Sequence, residues 1–94
     1  MQFLRLKKFL VFKHRNVGIW KKSTDRYIPL PPSERGIADI IACAPDGQFW
    51  AIEVKTAKGK ATEDQIKFLE NVRQNNGVGI LARSVDDVRK QFIN

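Results

Sequence analysis

Residues 48–56 read QFWAIEVKT, an apolar run of strand-forming residues that carries a carboxylate and an ammonium near its end. Phe49, Ala51, Ile52 and Val54 predict a buried β-strand. Successive strand side chains point to opposite faces, so Glu53 and Lys55 project from the same face, roughly 7 Å apart at about 3.4 Å per residue. Both groups are costly to desolvate unless something offsets the cost. From this strand alone, an ion pair at the edge of a sheet and membership of a chemical site are equal readings.

Upstream, IADIIACA (37–44) predicts a second strand, and the turn signal PDG (45–47) between the two makes them an antiparallel hairpin. This strand carries its own anomaly, Asp39, an acid among apolar neighbours. The hairpin sets it beside the strand of Glu53 and Lys55, so the three polar groups can converge at one place on the sheet. Two adjacent carboxylates repel, and a bound cation relieves that repulsion. Their hard oxygens suit Mg²⁺ or Mn²⁺ better than zinc. An ammonium beside such a cation can hold or deprotonate a water and stabilise charge building on a phosphate.

Downstream, a helix is predicted over about 63–75, with Thr62 as N-cap and Gln65 completing a capping box. Ile66, Leu69 and Val72 would form its apolar stripe. GVGILA (77–82) reads as another buried strand. A last helix begins at Ser84, with Asp87 as a second capping-box partner and Val85, Val88 and Phe92 buried. At the other end, Phe3, Leu6, Phe9 and Leu10 can share one face of a helix over roughly 2–15, and VGIW (17–20) is a short strand. KKSTDRYIPLPPSERG (21–36) contains three prolines and reads as a long basic surface loop. The expected order is α-β-β-β-α-β-α, an α/β fold with a mixed sheet flanked by helices.

The chain of 94 residues is read as one domain with a modest core, for which oligomerisation is a natural source of stability. Its hydrophobic content of 43% marks a folded chain rather than a disordered one. Cys43 is expected as a small buried hydrophobe, and Cys43 with His14 falls short of a zinc site. No apolar run reaches transmembrane length, and Arg5, Lys7 and Lys8 interrupt any signal-like core. The expectation is a cytoplasmic protein of a bacterium or a phage-infected host, with no membrane partner. The net charge of +7 is uneven: residues 1–35 hold nine Lys or Arg against Asp25 and Glu34, whereas residues 36–94 hold eight of each sign. A lopsided basic segment points to a polyanion partner.

Gly36-x-x-Asp39, a hairpin, Glu53-Val54-Lys55 and a helix opening Thr62-x-x-Gln65 together resemble the PD-(D/E)xK nucleases. More narrowly they resemble the VRR-NUC (virus-type replication-repair nuclease) branch, with DGQFWAIEVKTAKGKATEDQIKFLENV (46–72) similar throughout. The resemblance covers most of the chain and implies a restriction-endonuclease-like core. It also implies Mg²⁺-dependent hydrolysis of phosphodiester bonds, with Mn²⁺ able to substitute. Asp39, Glu53 and the main-chain carbonyl of Val54 would bind metal, Lys55 would orient or activate the attacking water, and Gln65 would support that water or a ligand. Lys21, Lys22, Arg26, Arg35 and Gly36 are the candidates for contact with the nucleic-acid backbone. The substrate implied is branched DNA, as in dimeric Holliday junction resolvases, which makes a homodimer the expected assembly.

Two positions depart from the family pattern. Ala38 stands where the family places a proline before the Asp. The family's additional Glu on the first helix has no counterpart, since residues 1–20 contain no acid, and Gln2 falls approximately where it would lie. A neutral amide oxygen is a weaker Mg²⁺ ligand than a carboxylate. The sequence therefore leaves open a catalytically weak or inactive DNA-binding module that keeps the nuclease fold, and a protein-interaction domain with a basic arm.

Overall fold

A computed structural model of the protein describes residues 2–13, 19–21, 26–28 and 36–92. The elements run α1 (Gln2–Leu6), β1 (Leu10–Lys13), β2 (Ile19–Lys21), β3 (Arg26–Ile28), β4 (Ile40–Cys43), β5 (Phe49–Val54), α2 (Glu63–Gln74), β6 (Val78–Ala82) and α3 (Val85–Arg89), with a 3₁₀ turn at Lys90–Phe92. The main sheet has the order β1-β4-β5-β6, and β2 and β3 pair separately. β1–β4 and β4–β5 are antiparallel and β5–β6 is parallel, so the sheet is mixed. No helix among the described residues is long and apolar enough to cross a membrane.

The expected hairpin forms, with Ile40 opposite Ile52 and Cys43 opposite Phe49, but Phe49 and Val54 at the two ends of β5, expected inside, are exposed. Gly47 supplies the positive φ of 90° at the turn, and its N–H donates to the Ala44 carbonyl. β5 lies between β4 and β6, and alternation sends its side chains into two separate clusters. Trp50 and Ile52 join Ile40, Ala42, Ile80 and Ala82 against Leu4, Phe9 and Val88, on the side of α1 and α3. Ala51 joins Ala38 against Leu69 and Val72 of α2, on the other side. Phe92 stacks on Trp50 with ring centroids 5.2 Å apart, and Phe9 meets Trp50 edge-on at 5.0 Å.

The expected order needs correction, because five strands precede α2 rather than three. The helix expected over 2–15 stops at Leu6. Lys8 adopts a left-handed conformation (φ 69°), its N–H donates to the Arg5 carbonyl and the Phe9 N–H donates to the Leu4 carbonyl, which together end the helix as a Schellman motif. Leu10, Val11 and Phe12 then find a hydrogen-bonding partner in β4, and that tertiary pairing overrides the helical periodicity. Consequently Leu4 is fully buried, while Leu6 and Leu10 are exposed. The loop expected over 21–36 contains a strand, since Arg26–Ile28 pairs with Ile19–Lys21. Val17 and Gly18 of the expected VGIW strand lie outside the described residues.

Two helical stripes shift as well. In α2, Leu69 and Val72 are buried but Ile66 is exposed, and the inward position of the first turn belongs to Gln65. Of the residues expected inside at the last helix, Val88 is fully buried whereas Val85 and Phe92 are exposed. Ser84 is the N-cap residue of α3 but makes no side-chain cap bond; Asp87 instead accepts from the Arg83 N–H at 2.8 Å. Cys43, expected inside, is exposed on β4, because α2 packs over β5 and β6.

Candidate functional site

At the C-terminal end of β5 the sheet brings Asp39, Glu53, Lys55 and Gln65 together. The β4–β5 ladder ends at the pair Ile40–Ile52, and beyond it the Val54 N–H donates to Asp39 Oδ2 at 3.0 Å. Asp39 thus closes the open end of the hairpin, and its position is set by main-chain geometry.

Glu53 shares the α2 face with Ala51 and is only 1% exposed, the one buried charged residue among those described. Its Oε1 accepts from Gln65 Nε2 at 3.0 Å and lies 3.4 Å from Lys55 Nζ. Its Oε2 is buried with no hydrogen-bond partner. Burial raises the Glu53 carboxyl above its ordinary value of 4.5, and Asp39 raises it further, through charge repulsion and through the hydrogen bond that a protonated acid makes to it; Lys55 pulls the other way. When both acids are ionised Oε2 has no donor, and a cation at that position would supply what is missing.

Gln65 holds two assignments at once. Its Oε1 accepts from the Thr62 N–H at 2.9 Å and its N–H donates to Thr62 Oγ1 at 3.2 Å, completing the capping box, while its amide nitrogen reaches Glu53. The start of α2 and the carboxylate are therefore fixed by one side chain. Lys55 is held through its own N–H, which donates to the Ala82 carbonyl at 3.0 Å.

Gly36 has a backbone reason for its place three residues before Asp39. Its φ is +81°, and a Cβ there would lie 2.5 Å from the carbonyl oxygen of Asp64 in the first turn of α2. Only glycine lets the chain enter β4 this close to the helix. Gly36→Ala is expected to destabilise the protein by about 3 kcal/mol or more, read as a lowered urea midpoint; an unchanged midpoint would contradict the close packing.

The remaining candidates fall elsewhere. Gln2 is exposed at the start of α1, a helix whose Leu4 packs on the α3 side of the sheet. Lys21 and Arg26 are paired backbone positions in the β2–β3 register; Lys22 and Arg35 lie outside the described residues. Sequence reasoning missed Arg83, whose Nη1 donates to the carbonyls of Thr56, Ala57 and Gly59 in the loop after Lys55. An arginine after a strand carries no local signal of such a role.

Among the described residues no group of three or more His, Cys, Asp or Glu side chains could hold a metal. The set available is two carboxylates and the main-chain carbonyl of Val54. That fits Mg²⁺, which commonly takes one or two carboxylates and completes its shell with water and substrate phosphate, and the buried Oε2 without a donor supports the fit. No protein-family model, curated protein or solved structure matches the chain.

Proposed function

We propose that the protein is a Mg²⁺-dependent, structure-selective endonuclease that hydrolyses phosphodiester bonds in branched DNA, on a PD-(D/E)xK core of the VRR-NUC type. One observation carries the reading: an almost fully buried Glu53 whose Oε2 has no hydrogen-bond donor when both it and the neighbouring Asp39 are ionised, with the Lys55 ammonium 3.4 Å from its other oxygen. A purely structural ion pair would satisfy both oxygens, because an unpaired buried carboxylate oxygen is costly.

Asp39, Glu53 and the Val54 carbonyl would hold the cation. When bound, it neutralises charge on the scissile phosphate and polarises it toward attack. Gln65 and Lys55 hold Oε1, which fixes the carboxylate and leaves Oε2 available to a cation. The Lys55 side chain, about one-fifth exposed, is open enough to meet a water and a phosphate. There it orients the water and stabilises the charge that develops on phosphate oxygen. Discrimination among DNA structures rests on shape and backbone rather than base edges.

The test is cleavage of labelled four-way junctions, flaps and linear duplexes with Mg²⁺ or Mn²⁺. Metal-dependent cutting of a branched substrate is expected, and no cutting of any substrate would reject the proposal in favour of a DNA-binding module. That second reading draws on the count of acids, since among the described residues two carboxylates meet here and the exposed Gln2 carries an amide instead of a third. A two-fold pair of chains would present two sites to opposite strands of a symmetric junction. Light scattering should accordingly give twice the 10.8 kDa of one chain; a monomer at high micromolar concentration would favour a flap or end substrate.

A further inference from the structure

The loop from β5 to α2, residues 55–62, reads KTAKGKAT and holds three lysines and no acid. Both of its ends belong to the group around Glu53. Lys55 begins it beside Oε1, and Thr62 ends it as the cap that fixes Gln65. Between them Lys58 and Lys60 are exposed.

This loop is pinned from the neighbouring strand. Arg83, just past β6, donates through Nη1 to the carbonyls of Thr56, of Ala57 at 3.3 Å and of Gly59 at 2.7 Å. Its own N–H is fixed by Asp87 Oδ2. The Gly59 N–H closes the turn on Thr56, donating to both O and Oγ1 at 3.1 Å. Two consequences follow. Carbonyl oxygens that would repel an anion are instead satisfied by a guanidinium, through charge-assisted bonds. A loop already anchored also loses less entropy when it binds than a mobile one would.

We infer that this loop is a contact for a nucleic-acid phosphate backbone. Lys58 and Lys60 pair with phosphates flanking the one at Asp39 and Glu53, and Arg83 is a positioning residue that keeps the loop in its binding shape. The choice of a phosphodiester chain as partner rests on the nuclease reading, but the contact itself requires no cleavage. Glu63 and Asp64, exposed in the first turn of α2, repel phosphate there and confine the backbone to the 56–60 side.

The experiment is a fluorescence-anisotropy titration of junction and duplex DNA in EDTA across a range of salt, with wild type, the double variant Lys58→Ala/Lys60→Ala, and Arg83→Lys. The double variant should lose about 1.8 from the magnitude of the salt slope on duplex, at about 0.9 per phosphate, and bind about tenfold or more weakly at 0.1 M salt. Arg83→Lys keeps the net charge but its shorter side chain ends before the position of Nη1, so the carbonyl contacts weaken and it should bind several-fold more weakly while the Gly59 amide exchanges faster with solvent. An unchanged slope in a double variant with a native circular dichroism spectrum would overturn the phosphate contact. Wild-type affinity and Gly59 exchange in Arg83→Lys would overturn the positioning role. A wild type that shows the salt-dependent binding, and a double variant that loses it, would support the contact even if no substrate is cut in Mg²⁺, an outcome in which the nuclease reading alone fails.

Discussion

Lys55→Ala and Asp39→Asn are each expected to lower Mg²⁺-dependent cleavage by about 10²-fold or more, the usual scale for removing one group that stabilises charge at the reacting centre. The two fail for different reasons. Lys55→Ala removes the only ammonium within ion-pair distance of Glu53 among the described residues, and with it the group we propose meets water and phosphate. Asp39→Asn keeps a side-chain oxygen able to accept from the Val54 N–H, so the end of the hairpin survives while one anionic ligand is lost. Folding should be preserved in both variants, and most of the DNA affinity in EDTA should remain. Single-turnover kinetics on one junction substrate read the difference; undiminished turnover by Lys55→Ala would sink the mechanism.

The second large effect is on stability without metal. Glu53 is raised above its ordinary value by burial and by Asp39, so the folded protein holds this proton to higher pH than the unfolded chain does. The stabilisation of the protonated form is fully present below about 4.5 and is lost as pH rises through the folded value. Glu53→Gln replaces the acid by a neutral group of the same shape whose amide can donate to Asp39, and removes that dependence. In EDTA the variant should therefore melt higher than wild type at pH 7–8, with the two converging toward pH 4; a gain of about 1 kcal/mol corresponds to about 4–8 °C in a domain of this size. Mg²⁺ should reverse the ranking. A site filled to about a hundred times its Kd adds about 2.7 kcal/mol to the wild type and nothing comparable to Glu53→Gln. A variant that melts lower at every pH, with no response of the wild type to Mg²⁺, would make Glu53 an ordinary structural partner of Lys55 and Gln65.

These expectations draw on residues that were legible before any coordinates, and the reason is physical. Asp39, Glu53 and Lys55 stand out because each is a charge within or at the end of an apolar run, and the PDG turn fixes which strand lies beside which. The capping box at Thr62 and Gln65 is local chemistry, visible in four consecutive residues. What escaped reading depends on distant partners. FLVFK at 9–13 suits a helix or a strand, and β4 decides between them. Lys8 ends α1 in a conformation that glycine usually signals. Ile66 gave way to Gln65 on the inward face because Glu53 waits beneath it, which no periodicity can register. Arg83 grips main-chain carbonyls, atoms that every residue possesses.

The central claim is that Asp39 and Glu53 together form a divalent-cation site, and calorimetric titration of Mn²⁺ into the DNA-free protein at neutral pH tests it most directly. The account predicts one ion bound per chain, with binding abolished or strongly weakened in both Asp39→Asn and Glu53→Gln. No binding by the wild type, or equal binding by Asp39→Asn, would contradict it.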